Sequence, residues 1–225
     1  MNLTVKLPQE PLHGGVLLSK GRVEALTDGI CAIAMTLLVL ELKVPDLPRS
    51  VPAHELLKSL GEEAPVFLGF FFSFLYCGLL WFLHHVAMHF FRHMQTALVW
   101  LNLLFLMSIS VLPFSCALLG RFHFKVAVLE IYFGNLFLAA LLLLLQWLFA
   151  RRRKLISEDD PLAARTVGLR LAALPIALAT AMLATLYKPI TAFYAMIFVL
   201  LAIRVWGKRS TAKKFAATVP SRSGF

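Results

Sequence analysis

Long stretches without a charged side chain constrain this sequence more than any other feature. Residues 64–91, 93–120, 131–150, 171–187 and 189–203 contain no Asp, Glu, Lys or Arg, and residues 29–40 form a shorter run near the start. A helix of about 20 apolar residues crosses the hydrocarbon of a bilayer. The three middle runs meet that length outright. The last two meet it when Arg170, Lys188 and Arg204 extend from their ends to the interface. With 60% hydrophobic and 15% charged residues, the composition is far from that of a soluble domain, in which about a quarter of residues are charged. Lipid offers backbone polar groups no partner, so spanning segments must satisfy them internally. Strand alternation is lacking, and the fold class that follows is all-α, a polytopic membrane protein with six transmembrane helices.

Six spans place both termini on one side of the membrane. Sixteen of the 22 Lys and Arg residues fall on that side, in the N-terminal tail, at Arg92, in the linker from Arg151 to Arg170 and in the C-terminal tail. Lys43, Arg49, Lys58, Arg121, Lys125 and Lys188 fall on the other. Basic residues mark the cytoplasmic side, so both termini are expected in the cytoplasm, with the protein in the cell membrane. The net charge of +10 is then a consequence of topology, and a nucleic-acid partner is not required. The domains expected are a cytoplasmic tail over residues 1–21, a six-helix transmembrane domain over 22–207 and a basic cytoplasmic tail over 208–225 that meets lipid headgroups. Residues 1–21 lack a signal-peptide core, so the first span acts as its own address. The stretch AHELLKSLGEE, residues 53–63, predicts a short amphipathic helix on the outer surface. Cys31, Cys77 and Cys116 stand singly in apolar spans and read as core filler.

The first span opens with Arg22, Glu24 and Asp28, and ionisable residues in a span are costly enough to suggest an ion or substrate path. On a helical wheel, Gly29, Ile33, Thr36 and Leu40 lie within about 40° of Arg22, while Asp28 and Glu24 lie about 110° and 160° away. Two readings are open. Ile33 and Leu40 pack against neighbouring helices while Thr36 bonds back to its own helix, or the stripe lines a water path with one hydroxyl between apolar layers. A single chain cannot close such a ring, so the second reading requires an oligomer. Histidines form another group: His84, His85, His89 and His93, of which the last three recur every fourth residue. That spacing suits interfacial hydrogen bonding, pH sensing, or a haem or metal site in a membrane oxidoreductase. No nucleotide-binding loop or hydrolase motif is present.

Several segments resemble a known family. RVEALTD, residues 22–28, is similar to the Arg-x-x-x-Phe-Ser-Asp motif that opens the first helix of the transmembrane protein 175 family of lysosomal and bacterial potassium channels. The resemblance continues through AIAMTLLVLEL, FSFLYCGLLWFLHH and NLLFLMSISVLPF, and so covers the first three spans. It implies a homotetramer of six-helix subunits whose first helices line a central pore, passing potassium without cofactor or catalysis. By position, Ile33 and Leu40 would form the constriction and Thr36 the hydroxyl ring. Arg22, Thr27 and Asp28 would belong to a polar network with Trp81, His84 or Asn102. Leu26 and Thr27 replace the motif's Phe and Ser, which alters packing at the start of the helix. The tetrapeptide TVGL, residues 166–169, echoes the carbonyl filter of other potassium channels. Its position beside Arg165 and Arg170 lacks the re-entrant loop such a filter needs, so the echo is read as incidental.

Overall fold

The computed structural model describes residues 19–122, 125–157 and 159–188, with the single positions 191, 194 and 197. Seven α-helices are present among them: α1 (Lys20–Leu37), α2 (Ala53–Glu62), α3 (Ala64–Phe90), α4 (Thr96–Ser110), α5 (Leu112–Phe122), α6 (Val126–Arg152) and α7 (Pro161–Thr185). Five membrane-length apolar segments result: α1 with its following turn, α3, α4 together with α5, α6 and α7. This is a multi-pass, all-helical membrane protein. Apart from the single helical positions 191, 194 and 197, the sixth span expected over residues 189–203 lies outside the described residues, as does the basic tail over 208–225.

Helix boundaries depart from the charge-free runs in ways that local chemistry explains. α1 tightens into a 3-10 turn, Leu38–Glu41, so Leu40 sits one turn beyond the α-helix proper. The run 93–120 breaks at Val111, with Pro113 as the second residue of α5. Proline has no N–H for the bond back to Ile109, and its ring crowds the preceding turn. α7 starts ten residues before its charge-free run. Asp160 caps it, accepting from the Ala163 N–H at 2.9 Å, and Pro161 occupies the first turn, where no intrahelical donor is needed. Residues 166–169 therefore lie inside a helix, and their carbonyls are committed to its ladder. α2 is the expected surface helix, with no buried residue.

α6 is the centre of the bundle, packed against α4, α5 and α7 and touched by α3. Leu80, Leu98, Phe105, Leu129, Phe133 and Trp147 are almost wholly enclosed. Three polar pairs among the described residues tie α6 to neighbouring spans within this apolar surrounding. Ser73 and Tyr132 hydroxyls meet at 2.9 Å, Asn135 donates to Ser115 at 3.2 Å, and Thr185 donates to Glu130. Cys31, Cys77 and Cys116 are buried and free. The contact of α7 with α6 depends on a residue without a side chain: a Cβ on Gly168 would lie 2.7 Å from Trp147 Nε1. Trp147 is itself enclosed, so the indole has little room to yield. Gly168→Ala is expected to cost about 1–3 kcal/mol through overpacking and to lower the thermal unfolding temperature in detergent. Gly61→Ala, at a position with open space, should leave that temperature unchanged or raise it.

Candidate functional site

α1 has two faces of opposite character. Val23, Thr27, Cys31, Ala34 and Leu38, spaced three or four residues apart, are buried, the helix packing against α3 and α4 and its closing 3-10 turn against α3 and α5. Arg22, Gly29, Ile33, Thr36 and Leu40 lie on the other side, where Ile33 is 60% and Leu40 67% exposed in the single subunit. The Thr36 hydroxyl donates to the carbonyl of Ile33 at 2.8 Å. Its proton is thereby committed to the helix, and the oxygen lone pairs remain available on the exposed face.

The buried face is held by a hydrogen-bond chain across three helices. Thr27 Oγ1 donates to Val23 O at 2.9 Å and accepts from Asn102 Nδ2 at 3.0 Å; Asn102 Oδ1 lies 2.8 Å from His84 Nε2. The direction of this chain follows by elimination. Thr27 has one proton and spends it on Val23, so it can only accept from Asn102. The Asn102 nitrogen must face Thr27 and its oxygen His84, so His84 Nε2 carries a proton and donates. Thr27, His84 and Asn102 are all nearly inaccessible. The imidazole also lies parallel to the Phe105 ring, with centroids 5.5 Å apart. A second tie joins α3 directly to α1, where Trp81 Nε1 donates to Asp28 Oδ1 at 2.8 Å.

Thr27, Asp28, Trp81, His84 and Asn102 are thus brought together at the junction of α1, α3 and α4. Arg22 is not; it is exposed and takes no side-chain partner among the described residues. The histidine row does not form one face. α3 ends at Phe90, leaving His93 beyond the helix, while His84 points inward to Asn102 and His85 stacks on Trp81. Among the described residues no three His, Cys, Asp or Glu side chains are grouped to hold a metal. The polar ties at Tyr132 and Asn135 were not anticipated from the sequence. Their signal was there, in isolated hydrogen-bonding residues within the apolar run 131–150.

Residues 22–113 match the family profile described as endosomal/lysosomal potassium channel TMEM175. That range begins at Arg22 and contains every residue of the α1–α3–α4 network. Over these residues the chain is similar to the TMEM175 family. A potassium channel of Streptomyces collinus is 38% identical over 102 residues, 45% of this chain and 48% of the relative. The endosomal/lysosomal proton channel TMEM175 of Gallus gallus is 41% identical over 114 residues, 48% of this chain and 23% of the relative. The matched part therefore spans about half, or less, of these relatives. The crystal structure of a lysosomal potassium-selective channel TMEM175 homolog from Chamaesiphon minutus superposes with a TM-score of 0.69 at 25% identity, covering 85% of this chain and 97% of that one. The TMEM175 likeness in fold thus extends past the matched sequence, although α6 and α7 lie beyond residue 113.

Removing the middle of the buried chain should be more damaging than removing its exposed companion. Asn102→Leu strands the His84 N–H and the Thr27 acceptor away from water, at a cost of about 1–3 kcal/mol. Asp28→Asn keeps an acceptor for Trp81 at an exposed position. Thermal unfolding of the two variants should show the larger drop for Asn102→Leu; the reverse order would place the critical tie at Asp28.

Proposed function

We propose that the protein is a potassium-permeable leak channel of the cell membrane, a homotetramer whose four α1 helices surround a central pore. The observation that carries this reading is the two-faced α1, anchored on one side and left open along a charge-free stripe on the other. Ile33 and Leu40 form the apolar constriction and Thr36 the hydroxyl ring between them. An ion entering an apolar layer loses water it cannot replace. Thr36 oxygens offset part of that loss, because their protons are already given to Ile33 carbonyls. Potassium sheds its water more readily than sodium and gains more from such a ring. Four hydroxyls replace little of a hydration shell, so selectivity is weaker than that of a carbonyl cage. Thr27, Asp28, Trp81, His84 and Asn102 hold the pore helix against α3 and α4, and Arg22 faces the cytoplasmic mouth. The basic side of the protein, with both termini, is cytoplasmic. The likeness to the Chamaesiphon channel over nearly the whole of that chain supports this assembly. The partners in this reading are three further copies, membrane lipids and permeant potassium; no cofactor, nucleic acid or catalytic step is involved.

Purified protein should elute as a tetramer, and vesicles containing it should pass potassium down its gradient without ATP. A folded monomer, or tetramers that move no more potassium than empty vesicles, would exclude the pore. Thr36→Val keeps the shape and removes the oxygens. The potassium-to-sodium permeability ratio and the conductance should fall with assembly intact, and Thr36→Ser should retain more of the preference. An unchanged reversal potential in mixed potassium and sodium for Thr36→Val would take Thr36 out of the ion path.

A further inference from the structure

The α6–α7 connection contains a cavity that the pore does not use. α6 ends in a Schellman turn, with Lys154 N–H donating to Arg151 O at 3.2 Å and Leu155 N–H to Ala150 O at 2.9 Å. Lys154 holds the left-handed position of that turn, at φ 55°. Glycine adopts this conformation freely and a side chain disfavours it. The chain then pairs with the end of α3, through Arg92 N–H to Leu155 O at 2.9 Å and Ser157 N–H to Phe90 O at 2.8 Å. This fixes the loop as one wall of a cavity of about 310 Å³ between the end of α6 and the start of α7, a size at the lower end for small-molecule sites.

Arg151 and Lys154 line the cavity from the α6 side, Arg165 from α7 and Ser157 from the loop, with Trp147 and Ala164 as apolar lining. No described carboxylate lines it. The nearby acids have local partners: Asp159 accepts from the Ser157 hydroxyl and Asp160 from the Ala163 N–H. The three cations have no ion-pair partner among the described residues. Three cations lining one cavity, with no carboxylate among its described lining residues, suit an anion, and two planar guanidinium groups suit phosphate oxygens in particular. The depth is also informative. The cavity lies where the charge-free run 131–150 gives way to Arg151, at the level of lipid headgroups, on the side assigned above to the cytoplasmic leaflet, where anionic lipids gather.

We infer that this cavity binds a phosphate ester, and that its depth makes an anionic phospholipid headgroup the favoured source over a soluble phosphate. The test uses the purified full-length protein in neutral detergent, titrated separately with short-chain phosphatidylglycerol, short-chain phosphatidylcholine and inorganic phosphate. Thermal shift and native mass spectrometry give the readout. Phosphatidylglycerol should bind and raise the unfolding temperature, and phosphatidylcholine should do neither. Arg165→Gln and Lys154→Gly should each weaken phosphatidylglycerol binding about fivefold, and together about 25-fold, at roughly one headgroup attraction per cation lost. Lys154→Gly suits the left-handed turn, so its unfolding temperature without lipid should equal or exceed that of the parent. A shift with inorganic phosphate and none with the lipid would keep the phosphate site and assign it to a soluble ester. Equal binding of both lipids, wild-type affinity in the double variant, or no response to any of the three ligands would overturn the inference. None of these readouts requires ion flux, so the result is independent of the pore reading.

Discussion

The hydrogen-bond chain from His84 through Asn102 to Thr27 decides how α1 is presented. Only one direction of donors and acceptors satisfies all three side chains, because Thr27 has a single proton and gives it to Val23. Water cannot substitute for any member of a chain so enclosed, so rotating α1 about its axis would strand several polar groups at once. The face carrying Val23, Thr27, Cys31, Ala34 and Leu38 is therefore fixed inward, and the face carrying Gly29, Ile33, Thr36 and Leu40 is left outward. The buried polar ties at the start of the span and the uncharged stripe beyond them are two parts of one arrangement. The first sets the orientation of the helix, and the second is what that orientation exposes.

The remaining helices give this arrangement something rigid to rest on. α6 and the α4–α5 span bury half of their most apolar windows, whereas α1 buries 28%. α6 holds its neighbours by close apolar packing and by single polar ties, as at Tyr132 with Ser73 and Asn135 with Ser115. Between helices in lipid the hydrophobic effect gives no net drive, so small residues and hydrogen bonds set the contacts. Gly168 against Trp147 is the clearest example of a small residue in that role. The loop after α6 carries the same rigidity to the membrane boundary by pairing with the end of α3. The basic cavity is thus joined to the end of α3, the helix that bears Trp81 and His84.

Much of this was legible in the sequence, and the parts that were not have definite causes. Charge-free length identified the apolar segments because a bilayer admits few other solutions for a polar backbone. The same measure misplaced their ends. It could not register that Pro113 would split the third segment at Val111, since a missing donor acts through a single backbone bond, whereas Asp160 and Pro161 are a local signal for the start of α7 that the sequence does carry. The row His85, His89 and His93 was read as one face; the helix ends at Phe90, and periodicity has no meaning past the end of a helix.

What the sequence determined by itself was the class of fold and the stripe on the first helix, because composition and a 3.6-residue period depend on the chain alone; the residues of the polar network were implied by the resemblance of its motifs to a known family. Which donor meets which acceptor was decided only in three dimensions. Asn102 lies 75 residues from Thr27 and 18 from His84, and no local rule relates such distances. The tertiary structure also separated Arg22 from the motif residues beside it and gathered Arg151, Lys154 and Arg165 around one cavity. In each case the packing of whole helices set the outcome, and side-chain chemistry then fixed the contact.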